Sequence, residues 1–413
     1  SGTLGSGVTV GLKTDGTVEA VAETSDSAGT PSVFESANSY YISATFDSAN
    51  NKVVIAYRDQ GNSAYGTAVV GTVSGTNISF GSPVVFESAN SQYISATFDS
   101  DSNKVVIAYK DFGNSNYGTA IVGTVSGTSI SFGTAVVFQS AATDEISAVY
   151  DSTNGKVVVS YREAASSLSG RAIVGTVSGT SISFGTETVF ESGDTTYTSA
   201  VYDSTNGKVV IAYSDGGNGQ YGTAIVGTVS GTSISFGTAT VFESADSNYI
   251  SAAYDSTNNK VVISYQDDAN STFGTAVVGT VSGTSISFGT PVVFNSASTT
   301  YLSATYDTVA KKVAIAYKDS GNSGYGTAIV GVVSGTSISF SSEVVFESAA
   351  SPYIASTYDS NAQKVVIAYR DDGNSDFGTG VVFTVGSSNA SDFIGITDAA
   401  ISDTASGSVT IKG

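Results

Sequence analysis

The sequence predicts an all-β fold, a seven-bladed β-propeller with a small terminal β-module. A phenylalanine recurs at a constant interval along the chain, and each interval contains four strand-like runs. The runs are bounded by the Gly, Asn, Asp and Ser residues that form turns. Repeats of this length with four strands are typical of propeller blades, which bury their faces only by stacking on neighbours. The phenylalanines recur every 52 residues, at Phe34, Phe86, Phe138, Phe190, Phe242, Phe294 and Phe346.

The four runs of the first repeat are Tyr41–Asp47, Lys52–Asp59, Thr67–Ser74 and Ile78–Ser88. The second run, with the sequence KVVIAY, is apolar on both faces and is predicted to lie inside the blade. Proline occurs at one register just before the Phe of the fourth run, and proline is tolerated mainly at sheet edges. The fourth run is therefore predicted to be the outer strand and the first run the innermost. These prolines are Pro31, Pro83 and Pro291.

The chain ends lie outside the regular repeats. Residues 1–27 contain two strand-like segments around Thr14-Asp15-Gly16, and Asp-Gly is a strong hairpin signal. The segment Gly29–Phe34 matches Gly289–Phe294, so the chain is expected to enter through the outer strand of the last blade, with Ser391–Ile396 helping to complete it. The predicted domains are a propeller over residues 28–397 and a joint terminal module of residues 1–27 and 398–413. The alternative is that the two ends are disordered tails.

Composition excludes several functional classes. The chain of 413 residues has no histidine and no cysteine, which removes the commonest general base, thiolate metal sites and disulfides. Its formal net charge of −20 opposes binding to nucleic acid and to anionic membranes. No run of 18 apolar residues predicts membrane insertion. A cysteine-free, acidic chain rich in Ser, Thr and Gly is typical of proteins outside cells, so an extracellular location is predicted.

An aspartate precedes a lysine by five residues in every repeat, as Asp47 precedes Lys52. This spacing places the two residues on either side of a hairpin turn. We expect exposed ion pairs with a structural role, each worth under about 1 kcal/mol.

The candidate binding residues lie on two kinds of loop predicted to share one face. The inter-blade loop ends in a tyrosine in six repeats, at Tyr41, Tyr93, Tyr197, Tyr249, Tyr301 and Tyr353. The other loop has the pattern R/K-D-x-G-N-S-x-Y-G and contributes Arg58, Asp59, Asn62 and Tyr65 in the first repeat. Its counterparts elsewhere are Asp111, Asn114, Tyr117, Asp215, Tyr221, Asp267, Phe273, Asp319, Asn322, Tyr325, Arg370, Asp371, Asn374 and Phe377.

Aromatic faces beside Asp, Asn and Arg suit polyhydroxylated ligands such as glycans. Repetition of weak sites would then raise affinity through multivalency. The alternative is structural, with tyrosines filling gaps between blades while Asp and Asn cap their own turns. The Asp and Asn residues could also hold Ca²⁺, but their spacing does not match an EF-hand loop, and no cofactor is predicted.

The third repeat departs from the pattern. Glu145 replaces the inter-blade tyrosine, Glu163 the aspartate and Ser169 the second aromatic, while the loop gains Arg171. Two carboxylates with Arg162 and Arg171 could serve a glycosidase. The alternative is a repeat that has drifted.

Two phrases resemble known sequences. The repeat phrases YDSTNGKVVIAY and GTAIVGTVSGTSISFG resemble tandem-repeat proteins of marine and freshwater phages and uncultivated aquatic bacteria. The segments GVTVGLKTDGTVEAV and FIGITDAAISDTASGSVTIKG resemble small β-modules of phage decoration and tail proteins. The resemblance implies a role in a virion appendage or extracellular fibre, with no reaction attached.

The predicted function is a non-enzymatic structural subunit of an extracellular fibre or virion appendage. It would self-assemble or contact its neighbours through terminal strands and bind surface carbohydrate through the tyrosine-rich face. The first alternative is a soluble lectin-like protein. The second is a glycoside-cleaving enzyme, which depends on the third repeat alone.

Overall fold

The computed structural model describes residues 24–165 and 168–386, together with the backbone of four short strands nearer the chain ends. It is all-β, and the paired strands run antiparallel. Two compact units are present, one made of Ser1–Ser27 and Val385–Gly413, the other of Ala28–Thr384.

One strand of each repeat is buried on both faces. Successive side chains of a strand point to opposite faces, and here every residue of the KVVIAY segment is apolar after the lysine. Val53, Ile55 and Tyr57 have no exposed surface, which confirms the interior position predicted from sequence. These strands are β5 (Lys52–Asp59), β9 (Lys104–Asp111), β13 (Lys156–Glu163), β17 (Lys208–Asp215), β21 (Lys260–Asp267), β25 (Lys312–Asp319) and β30 (Lys364–Asp371).

The buried strand pairs with a longer strand that follows it in sequence. In six repeats a short 3-10 helix connects the two, namely η1 (Gln60–Asn62), η2 (Phe112–Asn114), η3 (Gly216–Asn218), η4 (Asp268–Asn270), η5 (Ser320–Asn322) and η6 (Asp372–Asn374). The following strands are β6 (Tyr65–Ser74), β10 (Tyr117–Ser126), β14 (Ser169–Ser178), β18 (Tyr221–Ser230), β22 (Phe273–Ser282), β26 (Tyr325–Ser334) and β31 (Phe377–Thr384).

The outer run of each repeat has two parts separated by a break at the proline register. The first part is a short strand after the Ser-Gly-Thr turn, where Gly75 has a φ of 63°. The short strands are β3 (Ser27–Ala28), β7 (Asn77–Phe80), β11 (Ser129–Phe132), β15 (Ser181–Phe184), β19 (Ser233–Phe236), β23 (Ser285–Phe288) and β27 (Ser337–Phe340).

The second part belongs to a long strand that continues into the next repeat. These strands are β4 (Ser32–Asp47), β8 (Val84–Asp99), β12 (Val136–Asp151), β16 (Thr188–Asp203), β20 (Thr240–Asp255) and β24 (Val292–Asp307), with the last one divided into β28 (Val344–Ala350) and β29 (Ala355–Asp359). The first half of β8 pairs with β6, and its second half pairs with β9. The predicted inter-blade loop is therefore wrong, because one strand passes from each sheet to the next.

The first long strand links the last repeat to the first. Its beginning pairs with β31, where Ser32 lies opposite Gly380 and Asn38 opposite Phe377. Its end pairs with β5. The strand pairings therefore return from the seventh sheet to the first.

Neighbouring sheets bury their apolar faces against each other. One core cluster joins Val54 and Ala68 of the first repeat to Ile107 and Tyr109 of the second. Another joins Ile55 of the first repeat to Val366 and Val382 of the seventh. Each sheet is therefore covered by its two neighbours, as is usual in repeat architectures.

The predicted ion pair between Asp47 and Lys52 is wrong. Asp47 is only 1% exposed, and its carboxylate accepts hydrogen bonds from the backbone N–H groups of Ala49 and Asn50, each at 3.0 Å. The Nζ of Lys52 instead donates to Thr72 Oγ1 at 2.8 Å. The aspartate is a buried turn cap, because short polar side chains satisfy their own backbone in tight turns.

The terminal unit is a separate sheet of four strands in the order β2, β1, β32, β33, with bounds Val18–Ala20, Thr9–Leu12, Phe393–Thr397 and Val409–Thr410. The strand Phe393–Thr397 pairs with Thr9–Leu12, so Ser391–Ile396 does not extend the seventh sheet as expected. The boundary falls at Val385 and not after residue 397. The Thr14-Asp15-Gly16 turn and residues 398–408 lie outside the described residues.

Candidate functional site

Six tyrosines occupy one equivalent position, five of them within the long strands and Tyr353 in the break between β28 and β29. In β4 the pairing register shifts between Tyr40 and Ser43, and Tyr41 lies within this irregularity. The backbone of Tyr41 is left-handed, with a φ of 49°. Such a conformation is a genuine outlier for a bulky residue, and such outliers cluster at functional sites. The other five, with φ between 48° and 57°, are Tyr93, Tyr197, Tyr249, Tyr301 and Tyr353.

The six side chains contact one another in an almost complete circle, which we call the tyrosine ring. Ring centroids are 5.2 Å apart for Tyr197 and Tyr249, 5.2 Å for Tyr249 and Tyr301, and 5.1 Å for Tyr301 and Tyr353. The series continues through Tyr41, 5.8 Å from Tyr353 and 5.2 Å from Tyr93. Among the described residues the one interruption is Glu145, between Tyr93 and Tyr197.

The tyrosine ring surrounds a cavity of about 230 Å³. Five ring tyrosines line it, together with the aliphatic residue that follows the ring position in six repeats. These aliphatic residues are Ile42, Ile94, Ile146, Ile250, Leu302 and Ile354. The walls are therefore aromatic and aliphatic, with phenolic hydroxyl groups as polar atoms.

A tyrosine hydroxyl is already protonated at neutral pH, and burial raises the pKa of several ring tyrosines further. This burial raises the pKa of Tyr41 and Tyr249 above the ordinary value and that of Tyr197 and Tyr301 to about 12. Phenol groups in this state can both donate and accept hydrogen bonds at neutral pH. The cavity wall thus combines apolar faces with neutral hydrogen-bonding groups.

Positive side chains lie against several of these rings. The Cζ atom of Arg58 is 4.4 Å from the ring centroid of Tyr40 and 5.3 Å from that of Tyr41. The Cζ atom of Arg370 is 5.0 Å from Tyr40 and 5.4 Å from Tyr353. These distances fall in the range of cation–π contacts. The structure therefore brings candidate residues Arg58, Tyr41, Arg370 and Tyr353 together.

The aspartates of the second candidate loop cap the 3-10 helices. Asp59 is 7% exposed, and its Oδ1 accepts a hydrogen bond from the backbone N–H of Asn62 at 3.1 Å. The same role falls to Asp111, Asp267, Asp319 and Asp371, whereas Asp215 precedes η3 without a side-chain cap. Buried carboxylates with backbone partners fit the structural interpretation of this loop.

The remaining loop candidates follow the same connection. Asn62, Asn114, Asn322 and Asn374 are exposed at the ends of their 3-10 helices. Tyr65 is partly buried and lies opposite both Asp59 and Asn90 in the sheet. Tyr117, Tyr221, Phe273, Tyr325 and Phe377 begin their strands at the same position. The glycine after them is needed because a Cβ at Gly66 would lie 2.4 Å from the Phe86 ring.

In the third repeat Glu145 keeps the local backbone but changes the chemistry. Its φ is 51°, close to the 48° of Tyr93. Its Oε2 accepts a hydrogen bond from the backbone N–H of Tyr197 at 2.7 Å, and the hydroxyl of Thr198 donates to its carbonyl oxygen. Burial raises the pKa of the Glu145 carboxyl, an effect that the nearby Asp144 and Asp194 increase and Arg162 opposes.

The other charged residues of this repeat fall into two networks of ion pairs. Arg162 contacts Asp144 and Asp194, each at 3.1 Å, and Lys110 contacts the same Asp144 at 2.6 Å. Arg171 contacts Glu163 at 3.2 Å and also pairs with Glu187. The two arginines of the glycosidase hypothesis therefore neutralise different acids.

No helix among the described residues is long and apolar enough to cross a membrane. Within the same residues, no group of three or more Asp or Glu side chains is placed to hold a metal ion. The Ca²⁺ alternative thus has no cluster of carboxylate ligands in the part of the chain that the structure describes.

Sequence reasoning missed a buried tyrosine–carboxylate pair in each repeat. The hydroxyl of Tyr57 donates to Glu35 Oε2 at 2.9 Å, and that of Tyr109 to Glu87 at 3.0 Å. Where this glutamate is replaced by Gln139 or Asn295, the acid comes from Glu187 or Glu343. In both repeats that lack the first glutamate, a second glutamate is present in the sequence. This compensation indicates that the tyrosine needs a hydrogen-bond acceptor.

No family model matches the chain, and no curated protein matches it. Several solved structures are similar in fold, among them the following two. The BP39L lectin of Burkholderia pseudomallei is 9% identical with a TM-score of 0.63, and the match covers 85% of this chain and 98% of the lectin. A protein of unknown function from Dyadobacter fermentans is 12% identical with a TM-score of 0.53, covering 88% of this chain and 99% of that one. At these identities the similarity is one of fold alone.

Proposed function

We propose that this protein binds carbohydrate at the tyrosine ring. The observation that carries the proposal is the succession of tyrosine contacts, from Tyr197 round to Tyr93, about a cavity of about 230 Å³. A pyranose has apolar C–H faces and a rim of hydroxyl groups. Tyrosine complements both, since its ring packs on apolar surface while its hydroxyl makes hydrogen bonds.

The size of the cavity favours one site over seven. At about 30 Å³ per water, the volume of about 230 Å³ holds roughly eight waters, which suits one or two sugar residues. Because five of the six ring tyrosines line this one cavity, we propose one glycan-binding site per chain, built jointly by the repeats. The fold similarity to a protein named as a lectin supports the proposal.

The backbone conformation gives separate support. Glu145 adopts the left-handed conformation without a tyrosine side chain, so the fold does not require tyrosine there. The tyrosines at the six equivalent positions then call for another explanation. Contact with a ligand supplies one.

The test begins with a glycan array probed with the full chain, followed by calorimetry on the glycans that bind. Tyr249→Leu should weaken binding about tenfold, because one stacking surface and its hydroxyl are lost. Tyr254→Leu is the matched control, since Tyr254 lies on the same strand β20 but makes its hydrogen bond with Thr205, at the Asp-Ser turn region. An array without bound glycans, or equal losses in both variants, would contradict the proposal.

We further propose that the seven sheets are the blades of one closed propeller. The pairing of Ser32–Asn38 with β31 and the core shared by the first and seventh repeats support closure. An experimental density map should show seven sheets related by rotations of one-seventh of a turn. A different number of sheets, or a gap between the first and last, would contradict this.

A second proposed role is that of a subunit in an extracellular fibre or virion appendage, assembled through the terminal unit. Among the described strands of that unit, β2 and β33 each pair on one side only. An open strand edge favours addition of a strand from a neighbour. The resemblance of the repeats to aquatic phage proteins supports this setting.

Proline substitution in the full chain tests the assembly role. Val409→Pro removes a backbone donor and blocks strand addition at that edge. We expect the wild-type chain to form particles or filaments in electron micrographs and the variant to remain monomeric in light scattering. A monomeric wild type at high concentration would contradict the role.

We propose that the protein is not an enzyme. Arg162 and Arg171 are engaged with different acids, and the Glu145 carboxylate accepts a backbone hydrogen bond. Prolonged incubation with the bound glycan should therefore release no new reducing ends. Release that is lost in Glu145→Gln would contradict this.

A further inference from the structure

Arg58 differs from the other three arginines of the chain in its electrostatic environment. Arg162 and Arg171 each pair with two acids, and Arg370 pairs with Asp372 at 2.7 Å. Among the residues that the structure describes, no carboxylate pairs with Arg58. Its Nε is buried and has no hydrogen-bond partner there, which is also true of Arg162 Nε, so the difference lies in the missing carboxylates.

The sequence explains this difference. Lys110 is neutralised by Asp144, and Arg162 by Asp194, in each case an acid of the following repeat. For Arg58 the residues at the corresponding positions are Gln92 and Asn90, both neutral. The first repeat thus has the cation of its neighbours without their acids.

The unpaired guanidinium lies at the edge of the tyrosine ring. It is within 4.4 Å of the centroid of Tyr40 and 5.3 Å of that of Tyr41, and Tyr41 lines the cavity. Arg370 approaches the same Tyr40 ring at 5.0 Å, so two guanidinium groups flank one aromatic side chain. Stacking on the rings holds the Arg58 fork in place, and Arg58 as a whole stays partly exposed.

We infer that Arg58 binds the acidic group of a charged glycan whose neutral part occupies the tyrosine-lined cavity. A carboxylate or a sulfate ester accepts hydrogen bonds from guanidinium in a planar, often bidentate arrangement. A chain of net charge −20 repels anions over most of its surface, so an arginine without an acidic partner creates a local site that prefers anions. This inference rests on the proposed carbohydrate binding and adds the class of sugar.

Matched probes separate charge from sugar structure. Oligogalacturonate is compared with its uncharged methyl ester, and sulfated galactan oligosaccharides are compared with the same chains after desulfation. The wild type should bind at least one acidic probe about tenfold more tightly than its neutral counterpart, as a charge-assisted hydrogen bond predicts. The pair that shows the preference identifies carboxylate or sulfate as the group recognised.

The test variant is Arg58→Gln, and the matched control is Lys52→Gln. Both lie on β5 and both remove one positive charge, but they lie near opposite ends of a strand of 8 residues, about 20 Å apart. We expect the acid preference to disappear in Arg58→Gln and to persist in Lys52→Gln. Circular dichroism and melting curves establish that both variants are folded.

The outcomes distinguish this inference from the proposed function. If neutral glycans bind on the array but the wild type has no preference for either acidic probe, the inference is overturned and carbohydrate binding stands. A preference that survives Arg58→Gln also overturns it. If no glycan of any kind binds, both fail.

Competition on the wild type keeps the test decisive should Arg58→Gln not fold. Inorganic sulfate is expected to weaken binding of the acidic probe at least threefold and to leave binding of the neutral probe unchanged. Equal effects of sulfate on both probes would overturn the inference.

Discussion

The second and third repeats share their strands but differ in one loop and in their charges. In the second repeat Tyr93 belongs to the tyrosine ring, and Asp111 caps a 3-10 helix by accepting from Asn114 N–H at 3.2 Å. In the third repeat Glu145 and Glu163 replace them, and Glu163 still accepts from a backbone N–H, that of Ala165 at 2.8 Å. In both repeats the acid at the loop therefore accepts a hydrogen bond from the backbone.

At the position of the tyrosine ring, in contrast, the third repeat has lost the side chain that the other repeats share. The left-handed backbone persists at Glu145 although the aromatic side chain is gone. The comparison therefore separates residues that the fold needs, such as the capping acids, from residues that it does not, such as the ring tyrosines. The predictions below test this division.

The largest expected effect on stability comes from the ion pairs of the third repeat. Arg171→Ala leaves Glu163, whose side chain is 6% exposed, without its guanidinium partner. Removing one partner of a buried ion pair should lower the free energy of unfolding in urea by about 3 kcal/mol. Arg58→Ala removes a side chain that has no acidic partner, so it should lower the free energy of unfolding by less than about 1 kcal/mol. Equal losses would show that the ion pairs of the third repeat carry no special weight.

The next effect concerns the buried tyrosine–carboxylate pairs, which the two repeats share. Tyr109→Phe leaves the Glu87 carboxylate without its phenolic donor, and Tyr161→Phe does the same to Glu187. Hydrogen bonds to charged groups contribute about 1.5 to 3 kcal/mol, so each variant should lose about 2 kcal/mol in urea denaturation. A much smaller loss in Tyr161→Phe would mean that Gln139 and Arg171, which also contact Glu187, already replace the phenol.

A pH-dependent effect is expected at Glu145. Because burial raises its pKa in the folded protein above the ordinary 4.5, the folded state holds the proton to higher pH than the unfolded state. Stability from this group is complete below the unfolded pKa and is lost as pH rises through the folded pKa. The wild type should thus lose stability relative to Glu145→Gln as the pH is raised from 4 to 7. A constant difference across that range would contradict the raised pKa.

The smallest effect is expected at the hairpin turns. Lys52→Gln removes a surface charge whose Nζ donates to a threonine hydroxyl, and it should change the free energy of unfolding by less than about 0.5 kcal/mol. Asp47→Asn, at the other side of the turn, alters a buried cap and should cost about 1 kcal/mol. Equal costs would restore the ion-pair interpretation that the structure contradicts.

Periodicity made much of the fold predictable. The 52-residue interval and the doubly apolar KVVIAY segment determine the all-β class and the buried strand, because burial depends on pattern more than on any single residue. The continuous strand through Tyr41 could not be predicted, since a left-handed tyrosine inside a strand contradicts local propensity and is held by the packing around it. Five of the tyrosines at this position line the cavity that the repeats share.

The candidate site was predictable only in part. The tyrosines could be selected by their recurrence, but whether recurring residues meet at one point or stay in separate loops depends on how the sheets pack. The aspartates could not be assigned between ligand and cap, because Asp before a Gly-Asn turn suits both roles. That Arg58 lacks an acidic partner could not be predicted from sequence. The ion pairs of Lys110 and Arg162 first had to show which positions hold the acids in the other repeats.

The most direct test of the central claim is a crystal structure of the full chain with the tightest-binding oligosaccharide. The account predicts one sugar per chain in the cavity lined by Tyr41, Tyr93, Tyr249, Tyr301 and Tyr353, with a C–H face of the pyranose against a tyrosine ring. Sugar bound at the 3-10 loops, in several copies and with an empty cavity, would contradict it.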